Sequence, residues 1–434
     1  MVTPLQNKSR EQLLAEFDAV FGGYNLSLQK PTTNRRKDIP ALILPSELKI
    51  SDVLTSLGKP VGERYLLILS HFYISGLLFK KQTGKLGNFI GAHRDTLRLL
   101  GGAEYLKLIN YGISEEHLVK SPKKFIPGKQ SNEYRLDQKT FSLENQQRYE
   151  LTSKKAITIR TEQFHTLKNK FIKTGPVYRK IATSIDGLTF DYTNAIQYVA
   201  GLTNKDKLAS RRNYIEEMLL GQITWVIDQQ KRNHTVLVRM AGDLRSFVYY
   251  GKEPIYAVDI SACHPLLAVL LYSKDSAEKK RYQSIVESGR FWEFINDAAG
   301  KPFNLLDPDD KDKLKQTLNR DVYYSFPEPK GGVKKLFGVT FKREFPLLWS
   351  EIDLCKVRHS AKAASELSCI MQEMESILVF NAVETLLNRP YPLITIHDAV
   401  VTTKQGVADV EQALRDSFAT EKLNPRLVVK RLTV

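Results

Sequence analysis

Apolar residues follow two kinds of pattern along this chain, and both predict regular structure. They recur at helical spacing over residues 9–21 and again over 361–387, which predicts two helices with an apolar stripe. They form continuous, β-branched runs at 255–258 and at 393–403, which predicts buried strands. The mixture of helices and short strands indicates an α+β fold.

A carboxylate lies at the end of one of the two apolar runs and in the middle of the other. Residues 255–258 lead into Asp259, and residues 393–403 form a hairpin whose centre is the pair His397-Asp398. Pro265 is favourable in the first turn of a helix, so it predicts that a buried helix starts there. An ionisable pair at the tip of a buried hairpin costs free energy, which suggests chemistry. Two carboxylates on neighbouring strand ends would bind a divalent metal ion.

Simpler explanations of the same carboxylates stay open. Asp259 is a suitable cap for the helix that follows it, and Asp398 is a common residue type in hairpin turns. A metal-dependent hydrolase of the HD class would need further histidine ligands at helical spacing upstream, whereas His359 is isolated. The hydrolase alternative therefore fits the sequence poorly.

Two helices between the carboxylates carry further candidate residues. The first has a well-marked start, with Asp307 as its cap and Pro308 in its first turn. Residues four apart then form one stripe, which consists of Lys311, Lys315, Asn319 and Tyr323, so both lysines and Tyr323 can face one cleft. Lysines neutralise phosphates, although a solvated lysine-rich face has the same pattern. The second helix, 361–387, places Gln372 and Glu375 close together.

Composition limits the possible classes of protein. With 434 residues, of which 42% are hydrophobic, the chain can bury a large core and form two or three subdomains. No apolar run reaches the roughly 18 to 20 residues that span a bilayer, and the N-terminus lacks an export signal. We therefore predict a cytoplasmic protein with no membrane partner. Cys263, Cys355 and Cys369 are too few and too scattered for a disulfide framework.

The basic charge is unevenly distributed along the sequence. Residues 1–250 carry a net charge of +15, whereas residues 251–434, which hold both carboxylates, carry +1. A basic excess over hundreds of residues favours a polyanionic partner such as nucleic acid. Arg239 and Arg245 precede the first carboxylate and are candidates for phosphate contacts, although solvated surface arginines are at least as common.

The elements, taken in order, resemble motifs of family A DNA polymerases and of the related phage-type single-subunit RNA polymerases. The strand that leads through Asp259 and Ser261 into a helix resembles their motif A. The lysine-bearing helix is similar to their nucleotide-binding fingers helix, motif B, and the hairpin with His397-Asp398 resembles motif C. The resemblance covers roughly residues 235–434.

This resemblance implies a right-hand architecture, with an antiparallel palm sheet, helical fingers and thumb, and a mostly helical N-terminal region. Residues 1–150 would form an accessory domain, either winged-helix-like or a plain helical scaffold. Residues 151–250 would form a basic, thumb-like helical region, and residues 251–434 the palm, with a fingers insertion at about 275–360.

The resemblance also implies a role for each candidate residue. Asp259, Asp398 and the backbone carbonyl of Ile260 would hold two Mg²⁺ ions, with Mn²⁺ as a substitute. Lys315 would stabilise the leaving group as a catalytic residue. Residues expected to bind the nucleotide are Lys311, Lys315, Tyr323, Ser261 and His264. Residues expected to bind nucleic acid are Arg239, Arg245, His397, Gln372 and Glu375. The implied partners are a DNA template-primer, or RNA in its place, and nucleoside triphosphates.

The chain departs from the family pattern at several positions. Ala399 stands where family A DNA polymerases have a glutamate, and His264 stands where they place the glutamate that excludes a ribose 2′-OH. Tyr324 replaces the glycine that usually follows the motif B tyrosine. These changes leave the choice of sugar open. The chain is also too short to add a proofreading exonuclease, so none is predicted.

The expected function is therefore template-dependent nucleotidyl transfer, most simply by a DNA polymerase that extends a primer. One alternative is a single-subunit RNA polymerase or a primase-like enzyme. The other is a non-catalytic replication initiator that binds DNA through residues 1–150 and uses the two acids only as capping residues. The sequence does not specify the oligomeric state.

Overall fold

The structure of the protein is a computed structural model, and it describes residues 3–4, 8–21, 41–83, 89–91, 94–122, 132–141, 146–219, 225–228, 230–324, 336–357 and 363–433. Their contacts divide the chain into two compact units. The first unit comprises Gln6–Asn169 and Tyr192–Ile223, together with Met1. The second comprises Val2–Leu5, Lys170–Asp191 and Thr224–Val434.

The described strands, in chain order, are β1 (Thr3–Pro4), β2 (Ala41–Pro45), β3 (Ile90–Gly91), β4 (Leu118–Lys120), β5 (Glu133–Leu136), β6 (Gln146–Glu150), β7 (Leu188–Phe190), β8 (Val226–Ile227), β9 (Asn233–His234), β10 (Val248–Tyr250), β11 (Glu253–Ile260), β12 (Ile394–Ile396), β13 (Ala399–Thr403) and β14 (Leu427–Arg431). The described α-helices are α1 (Arg10–Phe21), α2 (Ile50–Leu57), α3 (Lys59–Thr83), α4 (Arg94–Gly101), α5 (Tyr105–Ser114), α6 (Lys154–Lys173), α7 (Pro176–Asp186), α8 (Tyr192–Ala200), α9 (Lys205–Leu219), α10 (Val236–Arg239), α11 (Cys263–Leu267), α12 (Ala277–Glu287), α13 (Phe291–Ala298), α14 (Pro308–Leu318), α15 (Leu336–Glu344), α16 (Pro346–Val357), α17 (Ala363–Thr385) and α18 (Val407–Ala419).

The first unit is built around helix α3 and two small antiparallel sheets, β2-β6 and β3-β5-β4. Residues 65–69 of α3 are all almost completely buried and form the centre of the apolar core. Arg148 is also buried in this unit, and it is paired with Asp18 and Glu216. A buried charge needs such partners because desolvation would otherwise be very costly.

The second unit contains a mostly antiparallel sheet with β11 at its centre. β13 and β14 both pair antiparallel with β11 over residues 256–259, so they flank it on opposite sides. The side chains of Ile255, Val258 and Ile260 are buried, as expected for a central strand packed on both faces. Helices α17 and α18 pack against each other in the same unit.

Several predicted elements are confirmed. Helix α1 covers Arg10–Phe21, and Asp307 caps α14 by accepting a hydrogen bond from the amide of Asp309 at 3.0 Å. The predicted long helix is α17, although its first predicted residues, 361–362, lie outside the described residues.

Other predicted boundaries differ from the structure. The buried helix after Asp259 begins at Cys263, so Pro265 is its third residue. The first-turn amides have no partner within a helix, so proline is tolerated anywhere in that turn. Before β11, which carries the first carboxylate, the chain forms the short helix α10 and a 3-10 turn at Leu244–Phe247.

The compact units do not follow the three regions predicted from the sequence, since the first unit includes residues on both sides of position 150. The assignment of accessory domain, thumb and fingers stays a prediction. Among the described residues, helices and antiparallel strands are mixed, in keeping with the α+β prediction. No described helix has the length and apolar character that crossing a bilayer requires.

Candidate functional site

Asp259 and Asp398 lie at the same end of two paired strands. Asp259 is the penultimate residue of β11, directly opposite Ala399, the first residue of β13. Asp398 precedes Ala399 in the turn, and its carbonyl oxygen accepts a hydrogen bond from the amide of Ile260 at 3.2 Å. The predicted hairpin is confirmed, and its turn brings the second carboxylate beside the end of the strand that carries the first.

The turn that carries Asp398 has an unfavourable backbone. Ile396 pairs with Ala399, so the hairpin loop consists of His397 and Asp398 alone. His397 has a φ of 53°, a conformation in which glycine is strongly preferred at the first position of a two-residue loop. Ala262, between Asp259 and helix α11, also has a φ of 53°. Positive φ at residues other than glycine costs free energy and is concentrated at functional sites.

The electrostatic environment disfavours the charge on Asp398. Burial, followed by the nearby carboxylates of Glu375 and Asp259, raises the pKa of Asp398 from its ordinary value near 3.8 to about 8. Burial also lowers the pKa of His397 to about 4, with a further lowering from nearby Arg232. Neighbouring carboxylates repel one another when they are charged, so one of them tends to stay protonated. A bound cation would offset that repulsion.

A buried ion-pair network lies beside the two carboxylates. Glu375, on α17, is only 2% exposed and receives hydrogen bonds from Arg232 at 2.6 and 3.1 Å. Its other oxygen lies 3.1 Å from Nε2 of His264. Burial alone would raise the pKa of Glu375, but the contacts with His264 and Arg232 outweigh burial and hold it below its ordinary value. The hydroxyl of Tyr324 hydrogen-bonds to Nδ1 of His264.

The structure corrects the predicted stripe at Tyr323. Helix α14 ends at Leu318, and Asn319–Tyr323 form a turn of π-helix, which has more residues per turn than an α-helix. Tyr323 is consequently fully buried and hydrogen-bonded to Tyr282 at 3.1 Å. The next residue, Tyr324, contacts His264 instead. The π-helical turn thus shifts the register by one residue.

The other predicted residues lie in varied surroundings. Lys311 and Lys315 are half-buried on α14, and Lys315 pairs with Asp312 at 3.1 Å. The amide of Ser261 donates to the carbonyl of Arg426 at 2.9 Å, and Gln372 donates to the hydroxyl of Ser368 at 3.1 Å.

The two predicted arginines lie in the short helical turns before β11. Arg245 donates to the carbonyl of Leu237 at 3.0 Å and contributes to the lowered pKa of His397. Arg239 is the last residue of α10. The contact of Glu375 with His264 and the electrostatic effects on His397 and Asp398 therefore bring together Asp259, Asp398, His397, Glu375, His264 and Arg245. They do not join Lys311 or Lys315 to the carboxylates.

Sequence reasoning missed three members of this site. Arg232 belongs to residues 151–250, for which the sequence predicts only a basic, thumb-like region, and Tyr324 is distinguished in the sequence only as a departure from the family pattern. Lys430, on the last strand, places its Nζ 2.5 Å from Oδ2 of Asp259. An alternating pattern in β14 would have placed Lys430 on the same face as Asp259 once the register was known. No local sequence signal gives that register.

The residues present suit a hard divalent cation. Carboxylate and carbonyl oxygens are the ligands that Mg²⁺ prefers, and this ion takes only one or two carboxylates together with substrate phosphates. Asp259, Asp398 and the carbonyl of Ile260 provide such donors at one strand end. Among the described residues, no group of three or more His, Cys, Asp or Glu side chains has an arrangement that could hold a metal. Any ion here would therefore rely on phosphate or water for its remaining ligands.

Comparisons with known proteins give little further information. No protein-family model matches the chain, and no curated protein matches it. Among solved structures, the polymerase domain of Pol1 from M. smegmatis, in complex with DNA primer-template and dNTP, is similar to this chain with a TM-score of 0.37 and 10% sequence identity. The similarity covers 90% of this chain, which spans 66% of that one. These values are too low to establish a shared fold, and the chemistry of the site follows from its own side chains.

Proposed function

We propose that the protein is a template-dependent nucleotidyltransferase, most simply a DNA polymerase that extends a primer and lacks a proofreading exonuclease. The observation that carries the proposal is the position of Asp259 and Asp398 at one end of the paired strands β11 and β13, where the pKa of Asp398 is raised to about 8. Perturbed carboxylates on a rigid scaffold are typical of functional sites. The sequence motifs and the basic charge of residues 1–250 support the same class of activity.

The carboxylates and the carbonyl of Ile260 would hold the magnesium ions. Bound there, the ions would supply charge neutralisation for the triphosphate and would activate a primer 3′-OH. Lys311 and Lys315 would hold the phosphates as point charges, and Lys315 would neutralise the leaving pyrophosphate. Each reaction would join the primer 3′ oxygen to the α-phosphorus and break the bond from that phosphorus to the pyrophosphate oxygen.

The network around Glu375 would orient the nucleotide pocket. The carboxylate of Glu375 lies against Nε2 of His264, and the Nδ1 atom of the same ring is hydrogen-bonded to the hydroxyl of Tyr324. These two contacts hold the ring of His264 in one orientation. His264 would therefore present a positioned ring beside Ser261, where the sugar of the nucleotide is expected. We propose Tyr324, rather than Tyr323, as the aromatic partner of the nucleotide. His397, Arg245, Arg239 and Gln372 would contact the nucleic acid, and the predicted cytoplasmic location stays a prediction.

Extension of a labelled primer-template tests the proposal. The reaction is run with Mg²⁺ and either dNTPs or NTPs, with a matching set that lacks the primer. Primer-dependent extension with dNTPs is the expected result. Extension with NTPs or synthesis without a primer would favour the RNA polymerase or primase-like alternative. Sequence-specific DNA binding without any incorporation would favour the replication initiator.

A pair of tyrosine variants tests the register shift in the π-helical turn. Tyr324→Phe removes the hydrogen bond to His264, so we expect the KM for the nucleotide to rise about fivefold with little change in stability. Tyr323→Phe removes a hydrogen bond inside the core, so we expect about 1 kcal/mol lower stability and an unchanged KM. Steady-state incorporation and urea unfolding of both variants give the comparison. A KM that changes only in Tyr323→Phe would contradict the assignment.

A further inference from the structure

Lys430 forms an ion pair with Asp259, which is one of the two carboxylates proposed to bind metal. It lies on β14 opposite Ala257, and Asp259 is two residues further along β11 on the same face of the sheet. The Lys430 side chain reaches diagonally across the strand pair, with Nζ 2.5 Å from Oδ2 of Asp259. The proposed mechanism gives this lysine no role. Its positive charge, placed against Asp259, disfavours the binding of a cation to that carboxylate.

The two partners differ in exposure. The side chain of Lys430 is 58% exposed, whereas that of Asp259 is 27% exposed. Asp259 is fixed by its place near the end of the central strand, while a lysine side chain has a flexible four-carbon stem. An exposed ion pair of this kind contributes little free energy, because water screens it and the side chain loses rotamer freedom. The lysine can therefore leave the carboxylate at small cost.

Two carboxylates of the site each have a positively charged partner. Glu375 is already paired with Arg232 at 2.6 Å. Lys430 gives Asp259 an equivalent partner. A divalent ion bound to Asp259 would supply that charge in its place and would repel the ammonium group.

We propose that Lys430 is a displaceable counter-ion of Asp259, which pairs with this carboxylate in the metal-free protein and leaves it when a divalent cation binds. The inference rests on the metal site of the proposed function and assigns to it a residue that lowers metal affinity. Lys430 competes with the ion both for an oxygen of Asp259 and through its charge. Metal loading also leaves a free ammonium group beside the site, where a nucleotide phosphate is its natural partner.

Direct binding of Mn²⁺ tests the inference without a measurement of activity. Free Mn²⁺ is followed by its electron paramagnetic resonance signal during titration of the full-length protein. Removal of the competing charge in Lys430→Met is expected to tighten the Kd for Mn²⁺ by roughly three- to tenfold. Lys430→Arg keeps the charge and is expected to stay close to the wild type. Arg431→Met is the matched control, because Arg431 is exposed and lies on the opposite face of the same strand.

A double variant separates competition from a purely structural role. In an Asp259→Asn background, Lys430→Met should tighten the Kd less than it does in the wild type, because the carboxylate for which the lysine competes is gone and only the repulsion between the two charges remains. An unchanged or weaker Kd in Lys430→Met, or an equal gain in Arg431→Met, would overturn the inference. If Lys430→Met has an unchanged Kd and a lower thermal stability in EDTA, the ion pair only stabilises the pairing of β14 with β11.

The inference and the proposed function can fail separately. A tighter Kd in Lys430→Met, in a protein that incorporates no nucleotide, would support the counter-ion and overturn the polymerase proposal. Incorporation that requires Asp259 and Asp398, with a Kd that Lys430→Met leaves unchanged, would do the reverse. Absence of Mn²⁺ binding in both the wild type and Lys430→Met would overturn the metal site and the counter-ion together.

Discussion

Asp398→Asn is expected to abolish nucleotide incorporation while making the metal-free protein harder to unfold. The substitution removes one of the two carboxylates proposed to hold the metal ions, so we expect single-turnover incorporation to fall by at least about 10²- to 10³-fold. Asparagine has nearly the same shape as aspartate and carries no charge. The cost of burying a charge and the repulsion from Glu375 and Asp259, which together raise the pKa of Asp398, are therefore absent in the variant.

The gain in stability should depend on pH. The folded protein holds a proton on Asp398 up to a pKa of about 8, whereas the unfolded chain releases it near pH 3.8. This group therefore makes the folded state less stable as the pH rises from about 4 to about 8, and the loss levels off above that range. In EDTA, Asp398→Asn should exceed the wild type in stability by about 1–3 kcal/mol at pH 8.5, and by less at pH 5.

Thermal unfolding at several pH values measures this effect, and Asp275→Asn is a suitable control. Asp275 is exposed and paired with Lys279, and its pKa is lowered by that hydrogen bond. Its substitution should therefore bring no gain in stability at alkaline pH. A variant Asp398→Asn that unfolds more easily than the wild type at pH 8.5 in EDTA would contradict the account of the site's electrostatics.

Glu375→Ala is expected to be strongly destabilising. The substitution removes the carboxylate that pairs with the largely buried Arg232, and with it the group that lies against His264. Loss of one partner of a buried ion pair typically costs about 3–5 kcal/mol, because the remaining charge is desolvated without compensation. Glu375→Gln preserves the shape and a hydrogen-bond acceptor, so a smaller loss is expected. In the variants that stay folded, the KM for the nucleotide should rise as His264 and Tyr324 lose their fixed positions.

Glu373→Ala is the matched control for this prediction. Glu373 lies two residues away on the same helix and pairs with Lys231 at 3.4 Å, with both side chains about half exposed at 46% and 60%. Its removal should change the free energy of unfolding by less than about 1 kcal/mol. Urea unfolding followed by tryptophan fluorescence compares the two variants. Equal losses in Glu373→Ala and Glu375→Ala would show that the buried network does not stabilise the second unit.

The parts of the site that were predictable are those with a local cause. Proline and aspartate at a helix start gave the beginning of α14, because capping depends on residues that are adjacent in the chain. The two apolar runs gave β11 and the hairpin, because a strand buried on both faces needs continuous apolar sequence. The turn with His397 was recognisable because a polar pair interrupts an apolar hairpin.

The parts that were not predictable have long-range causes. The pairing of Glu375 with Arg232 joins positions 143 residues apart, and that of Lys430 with Asp259 joins positions 171 residues apart. Neither leaves a pattern in its own segment. The error at Tyr323 has a different origin, since a stripe counted at a constant helical period cannot anticipate a turn of π-helix. Tyr323 is buried in the core, and its neighbour Tyr324 is the residue that contacts His264.

The most direct test of the central claim measures primer extension and pyrophosphate release together, in one reaction with a single dNTP. The account predicts one pyrophosphate for each nucleotide added by the wild type with Mg²⁺, and no product in EDTA or with Asp259→Asn or Asp398→Asn. Incorporation that persists in both variants, or a wild-type protein that binds the primer-template and adds no nucleotide, would contradict it.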